Sequence, residues 1–308
     1  SDTGTITGYT GEETDVVIPY EIDGVKVISI GDGAFKDTSL TSIEIPNSVM
    51  SIGNGAFLYC LLLTSVTIGN SVTSIEKEAF KGCGLTSIEI PNSVTSIGNS
   101  AFKGCTMLTS VTIPNSVTSI ENGTFSNCTM LTSVTIPDSV TSIGLGAFSN
   151  CDSLSSVIIP NSVTSIGDSA FSDCSKLTSV VIPNSVTSIG KQAFYSCFQL
   201  TSVTIGNSVT SIGKQAFYSL VSGLKYVYYE GTKEQWDAIT IEEGNTKLLN
   251  ATIHYEHIPT TKGYVDEQIG KIETDAIILR SSTLNSTKKF KVTVTDDGVL
   301  QVSELIEE

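Results

Sequence analysis

Apolar and polar positions repeat along this chain with a period of 22 or 23 residues. Nine phenylalanines mark the period: Phe35, Phe57, Phe80, Phe102, Phe125, Phe148, Phe171, Phe194 and Phe217. The copy from Leu108 to Met130 reads LTSVTIPNSVTSIENGTFSNCTM, with apolar positions at Leu108, Val111, Ile113, Val117, Ile120, Phe125 and Cys128. Val111 and Ile113 alternate with Ser110 and Thr112, which predicts a short strand of β-branched residues. Pro114 ends it, because proline cannot donate to a ladder, and Pro19, Pro46, Pro91, Pro137, Pro160 and Pro183 stand at the same point. Gly69 and Gly206 replace proline in two copies, so the position calls for a bend. Asn115 follows, a short amide suited to a tight turn. Val117 and Ile120 lie three apart, which predicts a corner or a two-residue strand. The stretch Asn122–Cys128 predicts a helical or 3₁₀ turn that buries its phenylalanine. A fixed period of this length specifies a stacked solenoid, in which each coil covers the open face of its neighbour. With parallel strands about 4.8 Å apart, nine coils make a body roughly 40 Å long.

The ends depart from the pattern as solenoid ends must, since an uncovered apolar coil would aggregate. Residues 1–34 form an N-terminal cap: Val17, Ile18 and Pro19 match the strand end, Val27, Ser29, Ile30 and Gly31 match the corner, and Glu21–Lys26 is inserted between them. The repeats run over 35–223. A C-terminal cap follows at 224–258, in which Lys225–Tyr229 (KYVYY) replaces the usual strand, Gly231–Ile239 predicts a helix carrying Trp236, and Ala251–Tyr255 closes as a strand. The remaining module, 259–308, has Val265, Ile269, Ile272 and Ala276 at helical spacing, on a short stretch that can pair with a copy of itself. Lys289–Val294 alternates as a strand, Asp297-Gly298 predicts a hairpin turn and Val299–Ser303 the returning strand.

Seven cysteines, Cys60, Cys83, Cys105, Cys128, Cys151, Cys174 and Cys197, each stand three residues after a repeat phenylalanine. One repeat position means one interior column, where a free cysteine acts as a small hydrophobe. Thr38 and Leu220 hold that position in the first and last copies and are expected to share the column. Buried free thiols are therefore expected in place of disulfides. Charged residues make up only 16% of the chain and the net charge is −15, with no basic run to neutralise phosphates, so nucleic acid is not an expected partner. No stretch approaches the 18 apolar residues of a membrane-spanning helix. The chain opens at Ser1 with neither Met nor a leader, which reads as a processed or shortened form whose export signal, if any, lies outside it.

Chemistry is hard to find. His254 and His257, in HYEH, lack a third ligand for a metal and a cysteine or serine partner for a nucleophile. There is no phosphate-binding glycine loop and no CxxC, and no cofactor is implied. Glu44 and Glu89 project from equivalent strands two coils apart, about 10 Å by strand spacing, but a glycosidase also needs one acid kept protonated by burial. No enzyme is expected. Strand alternation instead directs pairs from Ser42/Glu44 to Ser202/Thr204 onto one outer, concave face. Most of it is a hydroxyl ladder, but Ile158, Val181, Tyr226 and Tyr228 make one end apolar and aromatic, which suits recognition.

The repeated LxxVxIPxxVxxIGxxAFxxC resembles the BspA-like (Treponema-type) leucine-rich repeats over about residues 5–257, and VYYEGTKEQWDAI with ATIHY is similar to the terminal cap of such proteins. The resemblance implies a leucine-rich-repeat coil, mainly β, with a parallel sheet on its concave side. It also implies a secreted or cell-surface protein, in some members an adhesin, that binds a protein or glycan on a host or neighbouring cell. The tail, GYVDEQIGKIE and STKKFKVTVTDDGVL, is weakly similar to terminal segments of phage and prophage tail proteins. That likeness implies an alternative: a virion component made oligomeric through the tail.

Overall fold

The computed structural model describes residues 4–220 and 223–256, together with the backbone of 289–294 and 300–305. The chain divides into two compact units, Ser1–His257 and Ile258–Glu308. The first is a parallel β-solenoid. The first ladder is a stack of short strands in three hydrogen-bonded sheets: Asp15–Val17, Ser42–Glu44 and Ser65–Thr67; Ile88–Glu89, Ser110–Thr112 and Ser133–Thr135; and Ser179–Ile182, to which Ile158 is bridged at Val181, with Ser202–Ile205, Tyr226–Tyr229 and Thr252–His254. The second ladder consists of two-residue strands, mostly Ser-Ile, in two sheets, one from Thr5–Ile6 to Ser96–Ile97 and one from Ser119–Ile120 to Thr240–Ile241. Pairing is in register from coil to coil, Val111 opposite Val134 and Ile143 opposite Ile166. The alternating β-branched residues thus all turn inward and form one continuous core.

The third side of the coil is closed by the phenylalanine segment, which forms a run of turns in place of the expected helical or 3₁₀ turn. The cause lies in two residues per coil held at positive φ, one two places before the phenylalanine and one two places after. Gly123 (63°) and Asn127 (61°) flank Phe125, and Ser169 (53°) and Asp173 (61°) flank Phe171. Left-handed residues interrupt a helix and leave the backbone groups of the turn pointing along the stack. There they pair with the next coil: Gly123, Phe125 and Asn127 donate N–H bonds to the carbonyls of Leu145, Ala147 and Ser149 at 2.7–2.8 Å. The turns are therefore a third hydrogen-bonded ladder. Inside it the phenylalanine rings stack nearly parallel, with centroids 5.0–5.5 Å apart from Phe35 to Phe217.

All seven cysteines are buried and free. They are more than small hydrophobes, because each thiol donates to the carbonyl of the phenylalanine one coil back; Cys105 reaches Phe80 at 3.2 Å and Cys128 reaches Phe102 at 3.3 Å. Thr38 joins the column, its hydroxyl donating to the Phe35 carbonyl and meeting Cys60 Sγ. Leu220 does not: it is 71% exposed. Beyond Phe217 the second left-handed residue is missing and the chain leaves the coil path. Asn245 of the cap takes over there, accepting the Phe217 N–H and donating to the Gly213 and Glu242 carbonyls.

The ends of the solenoid depart from the repeat. The N-terminal insertion is a small antiparallel hairpin of Glu21–Ile22 with Val25–Lys26. In the C-terminal cap the helix is shorter than expected, Lys233–Asp237, closed by a capping box between Thr232 and Gln235. Its Trp236 is buried edge-on against Tyr229. In the second unit Lys289–Val294 pairs antiparallel with Leu300–Leu305. The Asp297-Gly298 turn and the stretch from Val265 to Ala276 lie outside the described residues.

Candidate functional site

Each strand of the first ladder has the pattern out, in, out, so its outward residues form two rows that cross the coils. Register fixes the members. One row contains Ser179, Ser202, Tyr226 and Thr252, and the other contains Ile158, Val181, Thr204, Tyr228 and His254. The structure brings all four predicted residues onto this face: Ile158, Val181 and Tyr226 are 36%, 39% and 44% exposed, and Tyr228 is half-buried. The intervening Val227 and Tyr229 point inward and are fully buried.

The register also adds a residue that the sequence offers only as a metal ligand or a catalytic base. His254 lies opposite Tyr228, and the two rings stack at 5.1 Å with planes 16° apart; Tyr226 sits 6.3 Å from Tyr228 and 6.1 Å from His254. Aligning Thr252-Ile253-His254 with Tyr226-Val227-Tyr228 would have revealed it. Among the described residues no group of three His, Cys, Asp or Glu side chains is placed to hold a metal ion.

From Ser110 and Thr112 onward the two outward rows carry no carboxylate. Glu44 and Glu89 stand at the other end, exposed, with Thr67 opposite Glu44 in the coil between them. A surface depression borders Glu89 between Asn70 and Thr112. Neither carboxylate has the burial that would hold an acid protonated for glycoside chemistry. Burial pushes the Cys105, Cys151 and Cys197 thiols up to about 12, while hydrogen bonding from Cys83 and Thr38 brings Cys60 down to about 7; all seven sulfurs are buried, out of reach of a substrate.

A sequence model of the BspA type leucine rich repeat region matches residues 28–154 and 118–246, with six copies. The chain belongs to the BspA-type leucine-rich repeat family. The chain is also similar to solved structures of bacterial repeat proteins. A leucine-rich repeat protein from Bacteroides ovatus is 30% identical over 81% of this chain and 76% of its own, with a TM-score of 0.57. The leucine rich repeat protein of T. pallidum is 33% identical over 56% of this chain and 82% of its own, with a TM-score of 0.53. A leucine rich cell surface protein from Faecalibacterium prausnitzii is 29% identical over 78% of this chain and 94% of its own, with a TM-score of 0.47. No curated protein matches. The likeness of the tail to phage proteins gains no support from these comparisons. Among the described residues no helix is long and apolar enough to cross a membrane.

Proposed function

We propose that this BspA-type repeat chain is a non-catalytic binding protein that works outside the cell, adhering to a protein or glycan on a host or neighbouring cell. The observation that carries the reading is the change in the outward rows. A plain Ser/Thr ladder gives way, over three coils and the cap and with only Ser202/Thr204 intervening, to Ile158, Val181, Tyr226 and Tyr228. Hydroxyls that are already well solvated add little discrimination, whereas aromatic side chains offer large contact area at low ordering cost.

An array of extracellular-matrix proteins and glycans, probed with the full chain, identifies a partner. Its affinity is then compared for Tyr226→Ser/Tyr228→Thr, which restores the plain ladder, and for Glu44→Thr/Glu89→Thr. The tyrosine pair is expected to lose at least tenfold and the glutamate pair to bind normally. The reverse result moves the site to the other end, and indifference to both makes the face a spacer.

A further inference from the structure

At the apolar end of the face, the edge where the chain enters the strands has a charge opposite to that of the whole chain, while the exit edge carries Glu230 and Glu256. Three residues upstream of Ser179, Ser202 and Tyr226, which pair in register, lie Lys176, Gln199 and Gly223 on the entry side of the strands. Gly223 leaves room that Lys247 fills from the cap, its Nζ 4.0 Å from where a Cβ on Gly223 would stand. Lys225 directly precedes Tyr226 and is exposed, as is Lys176. None of the three lysines lies within 4 Å of a carboxylate among the described residues. In the corresponding pairs 152–153, 175–176 and 198–199 the one carboxylate is Asp152. In a chain of net charge −15, an uncharged aromatic strip edged by Lys176, Lys225 and Lys247 is a local exception.

The aromatic geometry narrows the occupant further. A sugar ring is normally bound against an open aromatic face. Here the His254 imidazole stacks on Tyr228, and Tyr226 stands close to both. The rings are grouped with one another, and beyond one intervening coil, at Thr204, the same row continues as the aliphatic Val181 and Ile158, the shape of a strip for side chains. We propose that the Ile158–Tyr228 face, with His254 as a further contact, binds an acidic, apolar protein segment. Its apolar side chains lie along Ile158, Val181, Tyr228 and His254, and its carboxylates meet Lys176, Lys225 and Lys247. This rests on the binding reading above and assigns it a class of partner. Coulombic attraction at such a rim acts mainly on encounter rate and on the choice of partner, and it is screened by salt.

Three probes test it against the full chain: a synthetic peptide alternating glutamate with leucine and phenylalanine, the same peptide with lysine for glutamate, and a set of neutral and sialylated oligosaccharides. The acidic peptide is expected to bind, and to weaken at least tenfold between low and high salt. Lys176→Gln/Lys225→Gln should lose affinity severalfold and flatten that salt dependence, with Lys176→Arg/Lys225→Arg restoring both. Tyr228→Thr/His254→Thr should lose tenfold or more at either salt. Thermal unfolding of each variant shows that the solenoid is intact. Equal binding of both peptides, or none of any probe, overturns the proposal. Oligosaccharide binding that depends on the tyrosine and histidine, without peptide binding, overturns the class of partner and leaves the site. Acidic-peptide binding indifferent to both sets of substitutions overturns the site and the functional reading with it.

Discussion

At each repeat cysteine a sulfur meets a carbonyl that would otherwise be short of donors. The Phe102 carbonyl accepts the Cys105 N–H of its own coil and the Cys128 thiol of the next. Thr38, at the start of the column, turns its hydroxyl to the Phe35 carbonyl of its own coil instead, so the position accepts a small side chain with one donor in reach of a phenylalanine carbonyl. This separates two nearly isosteric replacements. Cys128→Thr keeps a donor in the column, whereas Cys128→Val loses it, and the valine variant is expected to be less stable by about 0.5–1.5 kcal/mol in urea unfolding. Equal stabilities would return the column to simple hydrophobic packing. All seven sulfurs, Cys60 included, are also closed off from a reagent in solution. At pH 8 the native protein should leave a thiol reagent unconsumed and the denatured protein should react at all seven cysteines. The column itself was legible, because seven cysteines at one repeat position can only share one environment. The hydrogen bond was not, since periodicity places side chains but says nothing of which carbonyl lies beside them.

Among the elements, the phenylalanine turn depends on backbone conformation more than on side chains. Gly146 has φ of 58°, and a Cβ there would find its nearest neighbour, Ser149 Cβ, at an ordinary 3.7 Å, so the cost of Gly146→Val is conformational, about 1–2 kcal/mol. At Gly144 an added Cβ would come within 2.9 Å of the Asn122 backbone nitrogen in the preceding coil, so Gly144→Ala forces coils apart. Hydrogen exchange of the turn amides should show local loosening for Gly146→Val and loss of protection in both adjoining coils for Gly144→Ala. Sequence reading expected a helical turn here because Ala-Phe-x-x-Cys has helical spacing. The left-handed residues include Gly, Asn and Asp, which favour that conformation, but Glu78, Ser169 and Gln192 interrupt the series and blur the signal. The strands were legible from alternation, and so were Ile158, Val181, Tyr226 and Tyr228. His254 was hidden because its meaning comes from the register of a strand outside the repeat. The caps titrate in opposite senses. Burial raises the Glu230 carboxyl, partly offset by the Asn184 amide, so its ionisation opposes folding as pH rises above 4.5. Hydroxyls of Ser42 and Thr41 lower Asp15, so the stability it contributes is lost only as pH falls below 3.8. Acidifying from pH 7 to about 5 should therefore slow exchange around Glu230, after correction for the intrinsic rate, and leave the Asp15 strand unchanged. Glu230→Gln should abolish the effect.

Across the whole molecule, every ladder links a coil only to its immediate neighbours, so stability is expected to behave as a chain of units and interfaces and not as one block. Phe57 stacks between Phe35 and Phe80 near one end, while Phe217, the last ring in the column, stacks on Phe194 alone and is followed by the cap. The chain has one tryptophan, and Trp236 is buried in that cap against Tyr229, beside Ile239 and Leu224 of the same core. Its fluorescence therefore reports on the C-terminal end, while far-UV circular dichroism averages over all coils. Phe57→Ala removes a fully buried ring and should cost its coil about 3–5 kcal/mol. In a linear array that loss stays near the N-terminal end: the dichroism transition in urea shifts to lower concentration and broadens, and the Trp236 transition holds its midpoint. Phe217→Ala should do the reverse, moving the Trp236 midpoint most. If both variants move both signals together by the same amount, the solenoid unfolds as a single cooperative unit, and the nearest-neighbour account of its stability is wrong.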